Sequence, residues 1–296
     1  ALGLIDASPE AEGLRNIIVT PFWTTDDATQ TLATDLATAL ALEAPDLPAK
    51  FGFAIDGQNP VLREVSVDIW LEQTPETLLL ATAKGAKAIT RATAIAETMA
   101  LIRWFLAMGG VQQGRGRMAQ LLAHTPLPQG FTAQRATPAP SPQVGPHPLG
   151  LLAGFEFGQM QAETLAALAQ LGPIRTTPWR MLLIEGASQA EIPGVITDPA
   201  NPMLRVIACT GAPGCTQAQA ATRDLARALA PHVKTTLHVS GCAKGCAHPT
   251  AAPLTLTATP VGFDLIRDGS ASGAPARIAL SPAELIADPS LLTKAP

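Results

Sequence analysis

The chain has 296 residues, room for one large domain or two ordinary ones, and its 47% apolar content with a mean hydropathy of +0.22 excludes wholesale disorder. Only 15% of residues are charged, 20 Lys and Arg stand against 24 Asp and Glu for a net charge of -4, and Tyr is absent, which excludes a general nucleic-acid binder built on basic surplus and stacked rings. The densest apolar stretch, Ala92 to Met108, carries Glu97 and Arg103 and reads as an amphipathic helix, so no membrane partner is expected.

The first residues are acidic and lack a basic n-region, so no signal peptide is expected and the location is read as cytoplasmic, with reduced thiols. Thr25-Asp26-Asp27 predicts a helix start, and Leu32, Leu36, Ala39 and Leu40 follow at helical spacing. Strands are predicted at Phe51 to Ile55, at Val65 to Leu71 by alternation, and at Leu78 to Ala81. A second helix places Ile95, Met99, Ile102 and Leu106 on one face, and a third is predicted over Arg117 to Ala123. Residues 125–148 hold seven of the 27 prolines and predict an exposed linker. Beyond it a strand is predicted near Leu151 to Phe157, a helix at Ala162 to Leu171 and a strand at Trp179 to Ile184. Leu204 to Ala208 and Leu237 to Ser240 read as strands that each run into a cysteine, with a helix near Gln217 to Leu229 between them. Leu254 to Leu256 and Phe263 to Ile266 suggest a hairpin, and Ser281-Pro282 starts a last helix.

All four cysteines fall between positions 209 and 246, as Cys209-Thr-Gly-Ala-Pro-Gly-Cys215 and Cys242-Ala-Lys-Gly-Cys246. Inert core thiols, disulfides, a structural zinc ion and a four-thiolate iron–sulfur cluster all remain open on spacing alone. The cluster is favoured. A cubane is larger than one ion and needs wider loops. Gly211, Gly214, Gly241 and Gly245 free the backbone to turn N–H groups toward sulfur, and Cys215 is placed at a helix start, where the dipole favours a thiolate.

The paired spacing, with the second pair in Gly-Cys-x-x-Gly-Cys, resembles the signature of sulfite and nitrite reductases. The run His238 to Pro249 is more similar to the precorrin-3B synthase family of that superfamily, with support from Leu4-Ile5-Asp6, Leu14 to Ile17, Leu47 to Phe53 and Ile174 to Arg180. The resemblance implies an α+β fold of sulfite/nitrite reductase-like modules. Residues 1–124 would be the first α/β module, 125–148 the linker, 149–196 a ferredoxin-like half-domain and 197–296 the α/β module carrying a [4Fe-4S] cluster. The first half's own ferredoxin-like half-domain has no counterpart, so a truncated chain, or a partner that supplies the missing part, is expected.

The resemblance further implies a monooxygenase that converts precorrin-3A to precorrin-3B by C20 hydroxylation and lactone formation, in aerobic cobalamin biosynthesis. It would use O2, reduced pyridine nucleotide or an electron-donor protein, and a mononuclear iron beside the cluster. Cys209, Cys215, Cys242 and Cys246 would be the cluster ligands, with Cys246 nearest the tetrapyrrole. A substrate with many carboxylates needs cations aimed into its site. Arg15, Lys50, Arg175 and Arg180 are the candidates to bind it, and Lys50, Lys244 and His248 the candidate catalytic groups. His238 is a further candidate for iron ligation or proton delivery, whereas His124 and His147 are read as solvated. Two alternatives stand beside this reading. One is a sirohaem-dependent sulfite or nitrite reductase, which the Gly at position 52 weakens because those enzymes carry a second Lys there. The other is a non-catalytic zinc-stabilised binding module.

Overall fold

Ile17–Val19 is a β-branched run, and it opens the ordered sheet of the first of two units. In the computed structural model the described residues are 12–13 and 16–294. The units comprise the chain up to Pro142 with Thr176–Trp179, and Gln143–Arg175 with Arg180 onward. In the first unit β1 (Ile17–Val19) leads through α1 (Thr29–Glu43) to β2 (Phe53–Asp56), β3 (Ile69–Gln73), β4 (Leu78–Thr82) and β5 (Gly85–Ile89). The helices α2 (Ala94–Ala107) and α3 (Met118–Leu121) follow. The sheet runs β1-β2-β3-β4-β5, with the first two pairings parallel and the last two antiparallel.

Helical spacing brings Leu32, Leu36 and Leu40 of α1 against Phe53, Ile55, Ile69 and Leu71, where Met99, Ile102 and Phe105 of α2 also pack. Two boundaries differ from the sequence reading. The first helix begins at Thr29, not at Thr25, because the Asp27 carboxylate turns back to accept the N–H groups of Thr24 and Thr29. The strand expected from Val65 begins at Ile69. Asp68 is buried where the alternation put it in solvent, and its carboxylate accepts from the N–H groups of Gly52 and Met118 and pairs with Arg117 at 2.9 Å.

The other face of this sheet carries a buried ion network. Glu72, 2% exposed, receives both Arg63 and Arg135, and the Arg135 guanidinium also lies 4.9 Å over the Trp70 ring. Arg135 comes from the proline-rich stretch, which it fastens to the sheet. Prolines lack N–H groups, so the stretch attaches through the residues between them. Ala133 donates to Ala86 O and Ala139 to Pro60 O, both at 2.8 Å, and the last part forms a strand.

In the second unit β6 (Gly145–His147), β7 (Gly150–Gly154), α4 (Ala162–Ala169), β8 (Ile174–Thr176) and β9 (Met181–Glu185) form a four-stranded sheet of order β6-β7-β9-β8, with Leu168 of α4 packed on Ala153, Leu182 and Ile184. A second five-stranded sheet follows from β10 (Val206–Ala208), α5 (Arg223–Leu229), β11 (Leu237–Ser240), β12 (Ala252–Thr259), β13 (Gly262–Gly269) and β14 (Arg277–Leu280). Its order and its parallel, parallel, antiparallel, antiparallel pattern repeat those of the first sheet. Helix α6 (Pro282–Ala287) closes it with the expected cap: Ser281 Oγ accepts the Glu284 N–H and the Glu284 carboxylate accepts the Ser281 N–H. Among the described residues no helix is long and apolar enough to cross a membrane.

Removing the Glu72 carboxylate leaves two guanidinium groups facing a buried wall, so Glu72→Ala is expected to cost about 3–5 kcal/mol in urea unfolding. Asp56 supplies a pH test. Burial pushes its carboxyl up to about 6, against the N–H bonds from Leu62 and Gly57 that favour the anion. The folded state thus prefers the neutral acid, and stability falls as pH rises from about 4 to about 6. Urea midpoints across that range are expected to show a smaller decline in Asp56→Asn than in the parent.

Candidate functional site

The register of β10 with β11 pairs Ala208 with Val239, so both parallel strands end at the same edge and deliver Cys209 and Ser240-Gly241-Cys242 side by side. The loops that follow are laced together. The Gly241 N–H donates to Cys209 Sγ at 3.2 Å, and the Gln219 N–H donates to Gly241 O at 2.7 Å. A Cβ on Gly241 would stand 2.7 Å from the Ala218 Cβ and 3.4 Å from Cys209 Sγ, so the approach is open to glycine alone. In the first loop Thr222 Oγ1 donates to Cys209 O and the Cys215 N–H to Gly211 O. In the second, Ser240 Oγ donates to Cys242 O, and Gly245 turns with a φ of 62°.

The four thiols are free of disulfides; Cys209, Cys215 and Cys242 are half-buried and Cys246 is exposed. A cavity of about 330 Å³ opens beside Cys242, walled by Gln219, Thr257 and Asp264 among others. Among the described residues no group of three His, Cys, Asp or Glu side chains is drawn together tightly enough to hold a single metal ion. The site thus presents thiols on two joined loops, an N–H aimed at sulfur and room at one thiol, and thiolates are the ligand type that iron–sulfur clusters take. Cys215 is not at a helix start, contrary to the sequence reading, since α5 begins only at Arg223. The stretch before it cannot coil, because Gln219 and Ala220 spend their backbone groups on Gly241 and Ala212.

Around the second cysteine loop, Lys244 is exposed and His248 half-buried. The His248 Nε2 lies 3.2 Å from Thr250 Oγ1 and 3.4 Å from Ala251 O. Arg180 takes a φ of 60°, packs its stem where Gly158 leaves space and donates from Nη2 to Ala247 O at 2.8 Å. His238 is wholly buried on β11 with its ring 5.7 Å from that of His248. Burial first, then His248 and Arg180, lower its pKa to about 4, so it is neutral.

The remaining candidates are placed differently. Arg175 is turned to Glu185, Nε to Oε1 at 2.7 Å, and this contact lowers the Glu185 pKa. Lys50 is exposed in the turn before β2 of the first unit, and Arg15 lies outside the described residues. In the same unit Trp179 stacks on Phe22 at 5.9 Å. His124 is exposed as expected, but His147 is half-buried and its Nδ1 accepts the Leu149 N–H. Gln219, Thr222 and Ser240, which fix the cysteine loops, carry no spacing signal and are invisible before the strands are aligned.

Gly241→Ala is expected to part the two loops. Its readout is thiol labelling of the reduced, metal-free chain, in which Cys209 should react faster than in the parent, together with a loss of about 1–3 kcal/mol of stability.

No family model matches the sequence. A curated relative named precorrin-3B synthase, from Sinorhizobium sp, is 32% identical over 166 residues, which is 47% of this chain and 36% of the relative. The chain therefore spans about a third of that relative's length. The structure of the Mycobacterium tuberculosis NirA protein superposes with a TM-score of 0.53 at 19% identity, covering 92% of this chain and 65% of that one. The chain is thus similar to precorrin-3B synthase over part of its length, and it shares its α+β fold with the NirA protein.

Proposed function

We propose that the chain is the cluster-bearing part of a precorrin-3B synthase-like monooxygenase of cobalamin biosynthesis. The observation that carries this reading is the Gly241 N–H on Cys209 Sγ, which locks the two cysteine loops into one thiol-rich edge. Cys209, Cys215, Cys242 and Cys246 would hold a [4Fe-4S] cluster, and when bound that cluster supplies electrons. The substrate would be precorrin-3A. Hydroxylation at C20 takes one atom of O2 into the macrocycle and the other into water, which requires two electrons and two protons from a reduced pyridine nucleotide or a donor protein. A lactone then forms from a ring acetate.

The chain's own residues bind and orient. Arg180 is pinned against Ala247 and keeps further N–H donors for a macrocycle carboxylate. Lys244 and His248 on the second cysteine loop would neutralise charge and hold or move a proton. Lys50 and Arg15 would be further carboxylate-binding candidates. Arg175 would join them only by leaving Glu185. The module boundaries at 124, 148 and 196, a cytoplasmic location and a mononuclear iron belong to the same proposal.

The NirA fold keeps a sirohaem reductase in view. Position 52 speaks against it. A Cβ on Gly52 would sit 2.8 Å from Asn16 Nδ2, so the second lysine of those enzymes would have to displace the Asn16 amide from Phe51 O.

Anaerobic purification with iron, sulfide and absorbance analysis tests the proposal. About four irons and four sulfides per chain are expected. Cys246→Ser should lower that content and abolish turnover of precorrin-3A. Strong sirohaem bands would move the assignment to a reductase, and one zinc without sulfide would move it to a structural module.

A further inference from the structure

His238 occupies a position that the fold does not need it to fill. The two five-stranded sheets share one topology, and their registers superimpose β2 on β11: Ile17 faces Phe53 as Val206 faces Leu237, and Phe53 faces Ile69 as Leu237 faces Leu254. On that alignment His238, between Ile207 and Thr255, matches Ala54, between Ile18 and Trp70. Both are buried in the central parallel strand. The first module closes its sheet with a methyl group, whereas the second buries an imidazole. Neither ring nitrogen of that imidazole has a hydrogen-bond partner among the described residues. An unpartnered buried polar group costs stability, and a parallel strand interior ordinarily takes an apolar residue.

What lies on the imidazole accounts for it. Strand alternation sends Leu237 and Val239 into the core beneath α5 and turns His238 to the opposite face. There the second cysteine loop folds over it. A Cβ on Gly245 would come 3.8 Å from His238 Cε1, and the His248 ring meets the His238 ring edge-on, with 70° between their planes. Edge-to-face rings attract, and the contact fixes how one ring is turned against the other. Arg180 grips the same turn from the side through Ala247 O. The His248 Nε2 lies within hydrogen-bond reach of Thr250 Oγ1 and Ala251 O, so the ring is also seated against its own loop.

Resting on the reading of the 242–248 loop as part of the site, we propose that His238 is a positioning residue: from beneath, its ring holds the His248 ring in one orientation, and so sets the turn that carries Cys246. The equivalent alanine of the first module supplies the variant, His238→Ala, and His238→Phe keeps the ring while removing its nitrogens.

The test uses the reduced, metal-free full chain. Nuclear Overhauser contacts between the His248 ring and Thr250, assigned with His248→Gln, report the orientation of that ring, and iodoacetamide labelling reports access to Cys246. His238→Ala leaves a cavity and is expected to melt below the parent, whereas His238→Phe fills the space without the two unpartnered nitrogens and is expected to melt near it. His238→Ala should weaken the His248–Thr250 contacts and change the Cys246 labelling rate by about threefold or more, as a locally loosened turn does. His238→Phe should keep both readouts nearer the parent, because the ring contact and not the nitrogens does the holding. Unchanged His248–Thr250 contacts and an unchanged Cys246 rate in His238→Ala would overturn the proposal. So would failure of both variants to fold, because His238 would then be structural. Since no readout needs bound iron, a parent protein that takes up no cluster would defeat the proposed function and leave this result standing.

Discussion

One parallel strand pairing underlies the site. Because β10 and β11 run together and end level, two loops separated by more than twenty residues of chain emerge at one edge, and a backbone N–H reaches a sulfur. Open α/β sheets place ligands beyond the carboxyl ends of their parallel strands, and the cysteines stand at such an edge. Everything proposed for the thiols, the cavity beside Cys242 and the Arg180 contact follows from that alignment. The glycine at 241 is its steric condition, since a single methyl group there would meet Ala218.

The same arrangement serves two ends in the two modules. In the first, the residue closing β2 is Asp56, whose carboxylate binds the N–H groups of Gly57 and Leu62. In the second it is Ser240, whose hydroxyl binds Cys242 O. Each ties down the loop that follows its strand, one with a buried acid and the other with a neutral hydroxyl. The first module then spends its outer sheet face on the Glu72–Arg63–Arg135 network, which fastens a proline-rich strap. The second keeps that face for His238 and the cysteine loop. A shared fold thus carries a structural ion network in one copy and a thiol site in the other, and function is argued from the residues at the strand ends and not from the topology.

Local chemistry was legible from the chain where one segment decides the outcome. The apolar periodicity of α1, the Ser281-Pro282 cap, the strand at Leu237–Ser240 and the grouping of all four cysteines needed only neighbours in sequence. Predictions went astray where a distant partner intervenes. Asp68 fitted a solvent position in an alternating strand until Arg117 and the Gly52 and Met118 amides claimed it. The Gln217–Ala221 stretch has helical composition, yet its backbone groups serve the neighbouring loop. Within 125–148, Arg135 reaches Glu72 and Ala133 reaches Ala86, contacts that proline content does not announce.

By itself the sequence determined the kind of chemistry: four thiols in two glycine-rich pairs and few charges, because residue type and spacing are properties of the chain. Only the tertiary structure decided which of those groups stand together. It turned Arg175 to Glu185, set Arg180 on the second cysteine loop and buried His238 beneath His248. The reason is strand register, which is settled by packing across the sheet and which moves every side chain to the opposite face with a shift of one residue.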